Sequence, residues 1–188
     1  MNVSVFIIPA TVVSAGVLIG AVTDLWKFKV YNLLTLPLLL AGLLYHAFVG
    51  GWPGLGGSLL GAVFGFSVLF LFYVMGGMGG GDVKLMAAIG AWLGLPLTFW
   101  VVIISSIAAG VYALGLIARH RRFRETWVDL RILWYRLTAA SRHLGQEDRV
   151  EAELNHAERR KNCIPFAAMT AIGLLGTLTW FFFVRGAP

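Results

Sequence analysis

Apolar stretches of about twenty residues recur along this chain, and their recurrence restricts its possible folds more than any other property. A helix rises ~1.5 Å per residue and the hydrocarbon core of a bilayer is ~30 Å thick, so twenty or so apolar residues suffice to cross it. Val3–Val22, Val30–Val49, Leu55–Met75 and Cys163–Val184 meet that requirement. The run from Val83 to Ala118 carries no charge after Lys84 and is too long for one span. Gly94-Leu95-Pro96 stands where a turn is needed, because Pro removes a backbone donor and disfavours the helical region for its predecessor. We therefore expect two short spans there, about 83–94 and 96–118, the first of them short for a full crossing. With 59% hydrophobic and 13% charged residues in 188 and a mean hydropathy of +0.80, the chain lies outside the range of water-soluble domains. The expectation is one membrane-embedded domain, residues 1–188, all-α and polytopic, with about six transmembrane helices.

Charge placement orients those spans, since cytoplasmic loops carry the Lys/Arg excess. Lys27 and Lys29 follow span one, Lys84 follows span three, and eleven Lys/Arg lie in 119–161. Six spans put all of these on one side and both termini outside; five would put the Arg-rich loop on the wrong side. The N-terminus lacks the basic n-region of a cleaved signal peptide, so span one reads as retained. The formal charge of +6 and pI near 9.9 sit beside the membrane rather than in a basic soluble domain. That favours anionic lipid headgroups over nucleic acid as a partner. In the loop, Trp127, Leu130, Trp134 and Leu137 recur at helical spacing among Arg124, Arg131 and Arg136, which predicts an amphipathic helix on the lipid surface. The single cysteine, Cys163, excludes an internal disulfide and a Cys-cluster zinc site; read as structure, it is a buried small side chain.

The distribution of acids is the informative exception. Seven of the nine Asp/Glu lie in the long loop, and the other two are Asp24 and Asp82. Ionisable groups at the membrane edge are costly and mark function, and the topology places both on the cytoplasmic face. Asp24 closes span one, just before the interfacial anchors Trp26, Lys27 and Lys29. Asp82 follows Gly76-Gly77-Met78-Gly79-Gly80-Gly81 and precedes Val83-Lys84 at the start of the next span. Glycines without a Cβ leave room for another backbone to approach closely. Each residue also has an ordinary reading: a solvated loop acid for Asp24, an N-cap for Asp82, a snorkelling cation for Lys84. Asn32 is either a helix-start residue or a partner for backbone groups freed near Pro37. His46 reads as an interface residue, and Gly57, Gly61 and Gly65 as a small-residue packing face.

Two carboxylates close enough to share a proton titrate as a unit, one acting as general base on a water and the other polarising a carbonyl. That chemistry needs neither metal nor cofactor. Gly79-Gly80-Gly81-Asp82 resembles the Gly-x-Gly-Asp motif of membrane-embedded aspartic proteases, and its continuation Val83-Lys84-Leu85 resembles the version found in type IV prepilin peptidases. Asp24 followed by Val30-Tyr31-Asn32 is similar to that family's Asp then Ile-Pro-Asn, with Tyr31 in place of Pro. Ile164-Pro165-Phe166-Ala167 resembles the segment that opens its last span.

The resemblance covers about Gly20 to Gly173 and is to the short, single-domain members associated with tight-adherence pili. It implies that Asp24 and Asp82 are the catalytic pair, supported by Gly79, Gly81, Lys84 and Asn32, with no metal. It further implies prepilin or pseudopilin substrates whose short basic leader is removed at the cytoplasmic face of a bacterial inner membrane. The Cys-rich zinc segment of longer members has no counterpart, so methylation of the product is left open, as is the oligomeric state. Two rival readings are an ion or proton pathway using the same acids and a membrane scaffold acting through its basic loop.

Overall fold

Helix is the only regular structure among the described residues of the computed structural model, which are 3–27, 30–74, 78–120 and 166–186. The elements are α1 (Val3–Lys27), α2 (Asn32–Val74), α3 (Gly80–His120) and α4 (Phe166–Gly186). All four are long and apolar enough to cross a membrane, and a helix satisfies every internal backbone donor within the segment. The amphipathic helix expected in the loop, and Cys163 with Ile164 and Pro165, lie outside the described residues.

Two glycines interrupt the longest elements. Gly51 in α2 has φ 59° and ψ −149°, and Gly94 in α3 has φ 71° and ψ 174°. Both are in a backbone region essentially closed to residues with a Cβ, and each is followed two residues later by a proline, Pro53 and Pro96. At Gly51 the chain doubles back, because the backbone of Gly54 lies against the carbonyl of His46. In a straight helix these positions would be about 12 Å apart. Past Gly94 the register also reverses. Gly65 meets Met86 and Gly61 meets Gly90, so a straight continuation would carry Phe99 toward Trp52; instead its ring lies 6.2 Å from that of Phe64. The chain therefore turns at Gly51 and at Gly94, the second within the expected Gly94-Leu95-Pro96 turn.

The first part of α3 forms the centre of its unit. From Val83 to Leu93 every residue except Lys84 is buried, and a helix apolar all round belongs inside. At ~1.5 Å per residue it is roughly 20 Å long, shorter than a bilayer core, which is tolerable for a helix sheathed by protein. The second part of α2 packs on it through backbone: a Cβ at Gly61 or Gly90 would overlap the other's carbonyl, and one at Gly65 would approach the Met86 carbonyl. Gly57 does not belong to this face, for nothing lies within 4 Å of it.

Polar tertiary bonds reinforce the contact. Ser58 Oγ donates to the Ala91 carbonyl at 2.6 Å, Trp92 Nε1 to the Leu38 carbonyl at 2.8 Å, and His46 Nε2 lies 2.9 Å from the Trp92 carbonyl. His46 is thus tied to α3 rather than standing alone at an interface. α1 packs on α4 and α2, turning Val13, Val17 and Ala21 inward at four-residue spacing. Leu59, Leu60, Val63, Phe66, Phe70 and Leu71 face outward, an apolar surface suited to hydrocarbon rather than water. Residues 110–120, which continue α3, belong to a second compact unit.

The glycine contacts make a paired prediction. Gly90→Ala drives a methyl group into the Gly61 carbonyl and should lower stability by about 1–3 kcal/mol. Gly57→Ala meets open space and should be neutral or gain a few tenths of a kcal/mol from helix propensity, at most about 1. Thermal unfolding of the two variants in the same detergent compares them directly.

Candidate active site

A cavity of ≈ 290 Å³ opens where the start of α3 meets the end of α1 and the start of α2. Asp24, Val30, Tyr31, Asn32, Gly79, Gly80, Gly81 and Asp82 line it. The two acids outside the long loop, 58 positions apart in sequence, thus share one wall system.

Asp24 is 6% exposed, in the last turns of α1. It is not the solvated loop acid of the ordinary reading. Its Oδ2 accepts the backbone N–H of Ala167 at 3.0 Å. Ala167 is the second residue of α4, where N–H groups have no partner within the helix and the helix dipole favours negative charge. One carboxylate oxygen is therefore engaged by a fixed backbone donor.

Asp82 stands in the first turn of α3, three residues after Gly79 and not at the N-cap. The Asp82 N–H donates to the Gly79 carbonyl at 3.2 Å, and the Gly79 backbone faces the Asp82 carboxylate in return. This is the reciprocal arrangement of a capping box with the N-cap side chain missing. Asp82 Oδ1 is buried and has no hydrogen-bond partner among the described residues. A buried carboxylate oxygen without a donor is costly, and it belongs to a side chain that lines the cavity shared with Asp24.

The glycines have separable roles. A Cβ at Gly81 would come within 2.7 Å of the Val30 carbonyl, and one at Gly80 would meet the Tyr73 ring at 3.3 Å. Gly81 thus lets α3 begin flush against the non-helical pair Val30-Tyr31, and Gly79 faces the carboxylate. Together the three line one side of the cavity without side chains. Lys84 does not line the cavity; its Nζ donates to Asn32 Oδ1 at 2.8 Å. Asn32 therefore pairs with a lysine 52 residues away rather than with backbone freed by Pro37.

Sequence reasoning did not assign Val30 and Tyr31 to a cavity wall or the Ala167 amide to Asp24. The first had a signal in the Val30-Tyr31-Asn32 match, whereas a backbone donor has no side chain to mark it. The described residues hold no cluster of three His, Cys, Asp or Glu.

Residues 11–114 match the family described as type IV leader peptidase. A protein of Aeromonas salmonicida (strain A449) named prepilin leader peptidase/N-methyltransferase is 43% identical over 101 residues, 50% of this chain and 34% of that protein. Proteins of the same name from Neisseria gonorrhoeae and Pseudomonas aeruginosa are 39% identical over 98 residues and 41% over 105; each alignment covers 34% of the relative. The aligned part is thus about a third of the length of the curated relatives it matches. No solved structure matches.

The Asp24–Ala167 bond separates stability from chemistry. Asp24→Asn keeps an acceptor for the Ala167 N–H and should leave the unfolding midpoint nearly unchanged. Asp24→Leu orphans a buried donor and should cost about 1–3 kcal/mol, read as a lower midpoint in detergent.

Proposed function

The chain belongs to the type IV leader peptidase family, and we propose that it is a membrane aspartic endopeptidase that removes the short basic leader from prepilin-like proteins. The observation that carries this reading is the meeting of Asp24 and Asp82 on one cavity beside a glycine wall. A water held between the carboxylates loses a proton to the ionised one as it attacks the scissile carbonyl. The protonated partner donates to the carbonyl oxygen, giving a tetrahedral diol. Collapse of the diol returns the proton to the departing amine and frees the mature subunit. The Ala167 N–H would hold Asp24 Oδ2 fixed throughout. Hydrolysis requires an unwound substrate, because a helical peptide hides its carbonyls, and the extended chain would pass along the side-chain-free stretch Gly79–Gly81 of the cavity wall.

In this reading the chain crosses a bacterial inner membrane six times. Gly51 and Gly94 mark the outer turns, both termini lie outside, and the cavity, Lys84 and the basic segment 119–161 face the cytoplasm. Anionic headgroups are the partners of that segment. An ion pathway is disfavoured because the helix leading inward from Asp82 is sealed by Val83, Leu85, Met86 and Ile89, all buried.

Coexpression with a prepilin tests the chemistry. Asp24→Asn and Asp82→Asn should each cut leader removal by at least about 100-fold while the protein still inserts, as seen by the size of the substrate on a gel. Processing that survives either change would sink the proposal. Topology is tested separately in a Cys163→Ser background. Cysteines introduced by W52C and L95C should react with an impermeant maleimide from the periplasmic side, whereas one introduced by N32C should not.

A further inference from the structure

The Lys84–Asn32 hydrogen bond has a polarity that chemistry fixes. An ammonium can only donate, so the end of the Asn32 carboxamide facing Lys84 is the oxygen, at 2.8 Å. The opposite end is the NH₂ group, whose two N–H donors have no partner among the described residues. Asn32 lines the cavity that holds Asp24 and Asp82, and Lys84 does not. The Asn32 backbone is also well held. The Tyr31 carbonyl accepts from the N–H groups of Leu34 and Thr35 at 3.0 and 3.2 Å, so Asn32 is the first residue of α2. The adjoining Val30 carbonyl abuts Gly81 in the first turn of α3. The bond between the side chains thus joins two walls that are already packed together.

We propose that Asn32 is a substrate-binding residue whose NH₂ group donates to a backbone carbonyl oxygen of the extended peptide beside the scissile bond, and that Lys84 is its positioning residue. The inference rests on the peptidase reading above and assigns a hydrogen-bond donor, which the two carboxylates alone do not provide in permanent form. A backbone carbonyl is the fitting ligand because it is an acceptor present in every peptide and is exposed once the chain is extended. Lys84 contributes in two ways. It holds the carboxamide in one of its two flipped orientations, and its charge on Oδ1 draws electron density from the amide nitrogen and strengthens both N–H donors.

The test uses the full chain in detergent with a purified prepilin-type substrate, reading kcat, KM and the thermal midpoint for each variant. Asn32→Asp keeps an acceptor for Lys84 and removes both donors, while Asn32→Leu removes donors and acceptor without adding charge. Both should lower kcat/KM by about 10- to 100-fold, and the Asp variant should keep the wild-type midpoint. Lys84→Met should cost about tenfold, and Lys84→Arg, which can still donate to Oδ1, should recover most of it. An Asp variant that cleaves like wild type would reduce the bond to a structural latch and overturn the inference. So would loss in the Asp variant alone, which would trace to the added charge, and so would equal loss in the Met and Arg variants of Lys84. If the wild-type chain leaves the substrate intact, the peptidase reading and this inference fall together. If the wild type cleaves and the Asn32 variants match it, only the inference falls.

Discussion

Backbone meeting backbone between Gly61 and Gly90 is the contact on which the rest of the arrangement depends. In hydrocarbon there is no hydrophobic drive to bring helices together, so association relies on close van der Waals approach and on hydrogen bonds between helices. Removing the side chains at this crossing lets the second part of α2 settle directly onto the first part of α3. Its depth is then set by Gly65 against Met86 on one side of the crossing and by the Ser58–Ala91 bond on the other. The Trp92–Leu38 bond orients the same helix against the first part of α2. A helix constrained at three levels has little freedom to rotate, and Asp82 in its first turn inherits that rigidity.

The polar groups of the site follow a division of labour between oxygens. One oxygen of Asp24 is occupied by a helix-terminal amide, while one oxygen of Asp82, which lines the same cavity, is buried without a donor. Engaged and unengaged carboxylate atoms in the same cavity give the pair an asymmetry that two equivalent acids would lack. In the reaction proposed above, which moves a proton between the two acids, one acid is held by a main-chain donor and the other keeps an oxygen without one.

The turns were legible because backbone conformation restricts residue choice. Gly51 and Gly94 occupy a region that a Cβ closes, and the prolines after them are compatible with helix starts. The acid pair was legible by elimination, since Asp24 and Asp82 stand apart from the loop that holds the others. Other features leave no such trace. Four-residue spacing put Gly57, Gly61 and Gly65 on one stripe but carried no information on where the partner helix ends, and Gly57 lies beyond it. The donor to Asp24 is a main-chain amide, equally present at every residue but proline. The Lys84–Asn32 bond joins residues of two helices, each with a sufficient local explanation at its own helix end.

That donor to Asp24 comes 143 residues later in the chain. A ribosome making the protein releases α1 first and α4 much later, and until α4 docks the Asp24 carboxylate lacks its anchoring amide. The earlier acid is thus present from the outset, yet its final alignment waits for the last described helix. A chain truncated before Phe166 would carry both acids and every glycine of the cavity wall, but would hold Asp24 without its anchor.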